Sequence, residues 1–199
     1  PHFAYGNAVH HVLAKWAVSE TDGNPVDEQT ILTTFDDHLS QRELLTKKEL
    51  ERLSHLGHQT LKRYISSHLQ SPYPNVHKVE YPITTHLGDV PIKGKLDRID
   101  LMEPNSRVAI VTDFKTGKPK TEKQIVDYGY YRQLVFYDLL IRNGYSIIDP
   151  KEFRLEFVGE GAEAPITRSF TISENDRKEL SELINTVWQK ILALDFTEV

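Results

Sequence analysis

The chain has 199 residues, 39% of them apolar and 27% charged, with a formal net charge of −5 and no cysteine. That length can bury a sizeable core as one domain, read here as residues 1–199, with a helical part over about 1–72 and a β-sheet core with helices over about 76–199. The composition excludes disulfides, cysteine-ligated zinc and a cysteine-held iron–sulfur cluster within these residues, shows no run of about 18 apolar residues and no signal-peptide pattern, and leaves any phosphate contact to local patches rather than overall charge.

Tyr5–Val18 is helix-like, with Val9, Val12, Leu13 and Trp16 recurring at spacings of three and four. Gly6 and His10 lie four apart and share a face, which Gly6 leaves open in front of His10. An ordinary hydrogen-bonded helix histidine is the competing reading. After a loop over Asp22–Val26, Asp27 caps a second helix carrying Ile31, Leu32, Phe35 and Leu39. Thr46 and Glu49 form a capping box that opens a long helix with Leu50, Leu53, Leu61, Tyr64, Ile65 and Leu69. His55, His58 and His68 read as solvated, because no carboxylate or cysteine pattern accompanies them. Ser71–Pro74 ends the helical part.

Strands begin near Val76, where Val79, Tyr81 and Ile83 alternate with polar positions, and Gly88-Asp89 is a two-residue hairpin turn. With that turn, positions whose numbers sum to 177 face each other, so Glu80 stands opposite Asp97. Opposed like charges need neutralising. A metal cation would do this, making Glu80 a possible metal-side acid, and so would Lys78 or Lys95. GKLDRID from Gly94 and the stretch Val108–Lys115 are then two strands joined by a turn over Met102–Ser106. Alternation puts Asp113 and Lys115 on one face, and Asp97 and Asp100 on opposite faces. Only one of the latter two can meet Asp113. We assign Asp97 to that role and leave Asp100 to pair with a basic group or cap the strand end. Two carboxylates and an ammonium brought together suit a hard divalent cation and an attacking water.

The segment Lys115–Lys123 holds four lysines against one glutamate. Lys118, Lys120 and Lys123 are candidates to hold backbone phosphates, with a solvated loop as the alternative. Glu122–Asn143 reads as one helix stopped by Asn143-Gly144. Tyr130, Gln133 and Tyr137 share a face on it, with Tyr128 and Tyr131 nearby. Tyrosines at this spacing are commonly core, but a buried glutamine amide needs partners. Glu152–Val158 and Ile166–Ile172 read as strands. Ser173 starts a last helix whose stripe of Leu180, Leu183, Ile184, Val187, Trp188, Ile191 and Leu194 is a core face.

Gly6-x3-His10, Gly94-x2-Asp97-Arg-Ile-Asp, Asp113-Phe-Lys115-Thr-Gly and Gln133-x3-Tyr137 stand in one order across residues 6 to 137. Together they resemble the RecB-like branch of the PD-(D/E)XK nuclease superfamily, as found at the C-terminus of UvrD/RecB/AddA-type helicases. The resemblance implies an α/β, restriction-endonuclease-like fold: a mixed β-sheet flanked by helices, with an N-terminal helical part. It implies that His10, Asp97 and Asp113 bind metal, that Lys115 is catalytic, and that Gln133 and Tyr137 line the site. The expected cofactor is Mg²⁺ or Mn²⁺, a histidine ligand suiting Mn²⁺ better. Some relatives carry four cysteines for an iron–sulfur cluster; with none here, no such cluster is expected. The expected activity is hydrolysis of DNA phosphodiesters, exonucleolytic on single strands, in helicase-coupled repair or recombination. The expected partners are DNA and a helicase domain on the same chain or in a partner subunit, with no membrane. Tyr130 or Tyr137 is a candidate to stack a base. A start at Pro1 reads as an excised domain, and the composition is compatible with a cytoplasmic protein. Two other readings compete: an inactive DNA- or helicase-binding relative, against which stand Asp97, Asp113 and Lys115, and a small-molecule phosphoesterase, against which stand the basic loop and the tyrosines.

Overall fold

The computed structural model describes residues 2–24, 26–42, 45–69, 75–159 and 165–195. The Ser71–Pro74 stop lies outside them. The helical part is α1 (His2–Thr21), α2 (Glu28–Arg42) and α3 (Lys47–Leu69). Both expected caps form: Asp27 Oδ1 accepts from the Thr30 N–H at 2.9 Å, and Thr46 and Glu49 cap each other reciprocally. Capping satisfies backbone donors that the first helical turn leaves unpaired. Val9, Leu13, Trp16, Leu32, Phe35, Leu39, Leu53, Leu61 and Tyr64 close into one core, which Phe114 and Val158 join from the sheet. The helical part is thereby packed on one face of the sheet.

Five strands follow: β1 (Val76–Leu87), β2 (Val90–Leu101), β3 (Val108–Lys115), β4 (Asp149–Phe157) and β5 (Ile166–Phe170). They lie in chain order, and only β3 and β4 run parallel. A parallel pair needs a long crossover, here α4 (Glu122–Asp127) and α5 (Tyr130–Gly144). Together with α6 (Glu174–Leu192), α5 covers the second face over Ile99, Val111, Phe153 and Leu155. The β1–β2 register is the expected one: Tyr81 faces Leu96 and Val79 faces Arg98, flanking Glu80 and Asp97. Glu80 itself has φ 47°, in the left-handed region that a glutamate rarely adopts.

Three expectations need correction. The helix expected over Glu122–Asn143 is two helices. Thr121 starts α4 with a capping box to Gln124, and Gly129 at φ 74° breaks the chain before α5. A glycine reaches that conformation without a Cβ clash, and the break leaves Tyr128 outside. The stripe on α6 is only half a core face: Leu180 is buried and Leu183, Ile184 and Trp188 pack on the core, but Val187, Ile191 and Leu194 are exposed. Of the three histidines of α3, His55 is exposed as expected, but His58 and His68 meet carboxylates from distant elements. His58 Nε2 lies 2.9 Å from Asp36, and His68 Nε2 lies 3.3 Å from Glu156.

Sequence reading also passed over Asp138, which sits fully buried in the apolar face of α5. Its carboxylate accepts from Arg142 Nε at 2.8 Å and from Arg177 of α6 at 2.9 Å. An acid amid Leu134, Val135, Leu139, Leu140 and Ile141 was the available signal, because a buried charge requires partners.

Candidate active site

The polar end of β3 and the middle of β2 bring the site together. Asp97 and Asp113 are both buried. The β2–β3 register, with Arg98 facing Thr112, continues to place Asp97 across from Asp113. Asp97 Oδ2 accepts from the Phe114 N–H at 2.8 Å, so the backbone of β3 holds this carboxylate. Asp100 lies on the opposite face, as alternation requires, and pairs with the buried Arg98 at 2.8 Å.

Around Asp113, α5 supplies a set of fixed partners. Asp113 Oδ1 accepts from Gln133 Nε2 at 2.8 Å and from the Tyr137 hydroxyl at 3.0 Å. Gln133 Oε1 accepts from the Lys115 ammonium at 2.7 Å. The amide thus presents its oxygen to the cation and its nitrogen to the anion, the only orientation in which both contacts are favourable. Burial, with the charges of Asp113 and Asp97, pushes the Tyr137 hydroxyl far above its ordinary range, so it is a neutral donor. Because its hydroxyl is committed and its ring buried, Tyr137 is not open to stack a base. Lys115 Nζ lies 2.6 Å from Asp113 Oδ2, yet that oxygen receives no aligned hydrogen bond. The ammonium also sits 4.5 Å from the ring centroid of Tyr130. The end of β3 is clamped by a bond from the Val158 N–H to the Lys115 carbonyl at 3.0 Å. Gly159 packs against the next residue so closely that a Cβ there would come 2.1 Å from the Thr116 carbonyl oxygen.

From the other side, α1 brings His10, whose Nδ1 is 3.3 Å from Asp97 Oδ2. Gly6 opens the helix toward Thr116 rather than toward His10 itself, since a Cβ there would meet Thr116 Oγ1 at 3.4 Å. Glu80 stands beside them and is also paired with Lys95. Ligand atoms of His10, Glu80 and Asp97 all lie within 4.8 Å of one another. The expected set was His10, Asp97 and Asp113. Glu80, the possible metal-side acid, groups with His10 and Asp97, while Asp113 pairs with Lys115 and accepts from Gln133 and Tyr137. One imidazole nitrogen and two carboxylates fit Mg²⁺ or Mn²⁺, and Asp113 Oδ2, buried without an aligned hydrogen bond, is a further donor beside them.

The basic residues divide. Lys120 lies 5.1 Å from the ring of Tyr128, whereas Lys118 and Lys123 are exposed.

The electrostatics of the site make a test. Burial first, then the charge of Asp97, raises the Asp113 carboxyl from 3.8 to about 6, against the opposing pull of Lys115. Burial alone would lower His10, but its hydrogen bond to Asp97 and the charges of Asp97, Asp113 and Glu80 raise it overall. In both cases the folded state holds its proton more tightly than the unfolded chain. Stability from both is therefore greatest at low pH and is lost as pH rises, through about 4 to 6 for Asp113 and above 6.5 for His10. In urea titrations with chelator, wild type should lose on the order of 2 kcal/mol between pH 4.5 and 7 relative to Asp113→Asn. Parallel pH curves for the two proteins would refute it.

A profile of the PD-(D/E)XK nuclease superfamily matches residues 1–198. Among solved structures, one described as a "Putative exonuclease" from Eubacterium rectale aligns at 17% identity over 96% of this chain and 69% of that one, with a TM-score of 0.54. At that identity the likeness concerns the fold, a mixed sheet flanked by helices of the restriction-endonuclease-like kind. A second, SSO0001, aligns at 14% identity over 94% of this chain and 85% of that one, with a TM-score of 0.39, too low to add to the argument. No curated protein gives a significant match. With the profile running over all but the last residue of a chain that folds in this way, the chain belongs to the PD-(D/E)XK nuclease superfamily.

Proposed function

We propose that this chain is a divalent-metal-dependent deoxyribonuclease that hydrolyses phosphodiester bonds, exonucleolytically and on single strands. The observation that carries the reading is the juxtaposition of the His10–Glu80–Asp97 donors with the Lys115–Asp113 pair. His10, Glu80 and Asp97 would hold Mg²⁺ or Mn²⁺, with Asp113 beside them. A cation bound there supplies Lewis acidity to the attacking water and to the phosphate. Lys115, held by Gln133, Asp113 and the face of Tyr130, presents a fixed ammonium to charge developing on the phosphate oxygens. Gln133 and Tyr137 act as positioning residues: they orient Asp113 and Lys115 and leave the substrate to others. Lys118, Lys120 and Lys123 take backbone phosphates. The exonuclease assignment is supported by the description of the Eubacterium rectale protein. Coupling to a helicase, on the same chain or a partner subunit, rests on the order of the RecB-like motifs.

The experiment compares linear single-stranded DNA, circular single-stranded DNA and a small phosphodiester, with Mg²⁺, Mn²⁺ or excess chelator. We expect degradation of the linear strand with either metal and none with chelator. Cutting of the circle would replace the exonuclease assignment with an endonuclease. Cleavage of the small diester alone would replace the substrate class, and DNA binding without cleavage in either metal would make the chain an inactive relative.

A further inference from the structure

We propose that Tyr128 is a stacking subsite for an unpaired nucleobase of the DNA strand that the site cleaves. The proposal deepens the nuclease reading and rests on it. A line of contacts runs outward from the reacting groups. Lys115 lies 4.5 Å from the Tyr130 ring centroid, Tyr130 lies 6.2 Å from Tyr128 ring to ring, and Lys120 lies 5.1 Å from the Tyr128 ring. Each of these is within the range of cation–π or aromatic contact. Two rings within aromatic contact range thus stand between the Lys115 ammonium beside Asp113 and the Lys120 ammonium near the surface.

The two rings are not equivalent. Tyr130 is half-buried; Lys115 lies over its ring, which also meets Phe157 at 6.5 Å. Tyr128 is 58% exposed. It stands where the crossover breaks, at the C-cap of α4 before the left-handed Gly129, and a Cβ on Gly129 would meet nothing within 4 Å. The break turns the tyrosine out of the core and keeps the space beside it open. Lys120 over its ring suits a ligand that carries both phosphates and flat π faces. An unpaired stretch of DNA has both, whereas in a duplex each base face is already stacked.

Base–aromatic stacking contributes about 1–3 kcal/mol per base, which is about 5- to 150-fold in affinity. The probes are two single-stranded oligodeoxynucleotides of equal length and charge, one with all its bases and one with consecutive abasic positions. Binding is measured with Ca²⁺ in place of the activating metal. Wild type should prefer the base-bearing strand, and Tyr128→Ala should lose at least 5-fold on that strand while its affinity for the abasic strand stays the same. Tyr128→Phe, which keeps the ring, should retain the preference. Equal losses on both strands, or no loss on either, would overturn the stacking role. Parallel cleavage of linear single-stranded DNA by wild type with Mg²⁺ or Mn²⁺ separates the two readings. Cleavage without any base preference removes the subsite alone, and a wild type that neither cleaves nor binds removes both.

Discussion

If Lys115 acts as proposed, Lys115→Ala should lower the rate of DNA cleavage by about 10³-fold, in the range that a positioned proton-transfer or charge-stabilising group contributes. The ammonium is held from three sides: by Gln133 Oε1 at 2.7 Å, Asp113 Oδ2 at 2.6 Å and the ring of Tyr130. No other cationic side chain is described in contact with Asp113, so the described residues offer no substitute in place. Loss of the cation also removes the downward pull of Lys115 on the Asp113 carboxyl. That carboxyl then protonates at still higher pH, which limits the cost of leaving it buried and lets the fold survive. Lys115→Arg should restore only part of the rate, because a planar guanidinium does not reproduce the contacts of a compact ammonium. Single-turnover rates in Mg²⁺ and Mn²⁺, with a thermal melt of each variant, test both statements. A folded Lys115→Ala protein cutting at the wild-type rate would remove Lys115 from the mechanism.

Asp138→Ala should destabilise the protein by about 3 kcal/mol, the scale of breaking a buried ion pair. Among the described residues Asp138 is the only acid that both Arg142 and Arg177 share, at 2.8 and 2.9 Å, and through them it ties α5 to α6. Its loss takes from both guanidiniums their buried partner, although both keep some access to water, Arg142 retains Asp149 at 3.8 Å, and Arg177 retains Glu174 at 3.7 Å and the Ile172 carbonyl at 3.1 Å. For a domain of this size the change lowers the melting temperature by roughly 6–12 °C. Because α5 also carries Gln133 and Tyr137, cleavage should fade with unfolding and not before it. Urea titration with unchanged slope reports the loss of stability, and a loss below about 1 kcal/mol would show that the α5–α6 junction rests on apolar packing instead.

Comparison of particular elements shows which inferences are local. The Gly88-Asp89 turn was enough to set the β1–β2 register and to put Glu80 across from Asp97, because a two-residue loop leaves the strands one pairing. Asp27, Thr46 and Ser173 marked helix starts because a cap acts within three residues of itself. The break at Gly129 was equally local and was overridden by the apolar periodicity running across it. That periodicity describes a face and says nothing about one residue with positive φ.

The sequence by itself determined the order of the elements, the shared face of Asp113 and Lys115, the opposite faces of Asp97 and Asp100, and the motif order that marks the superfamily. These follow from periods of two and of about 3.6 residues and from short-range capping. The tertiary structure alone decided how close His10 of α1 comes to Glu80 and Asp97, that Asp113 accepts from Gln133 and Tyr137, and that His68 meets Glu156. It alone left Tyr128 exposed while burying Tyr137. Those partners lie on elements far apart in the chain. Which of them meet depends on how α1, α5 and α3 are laid on the sheet, and packing of whole apolar faces sets that placement.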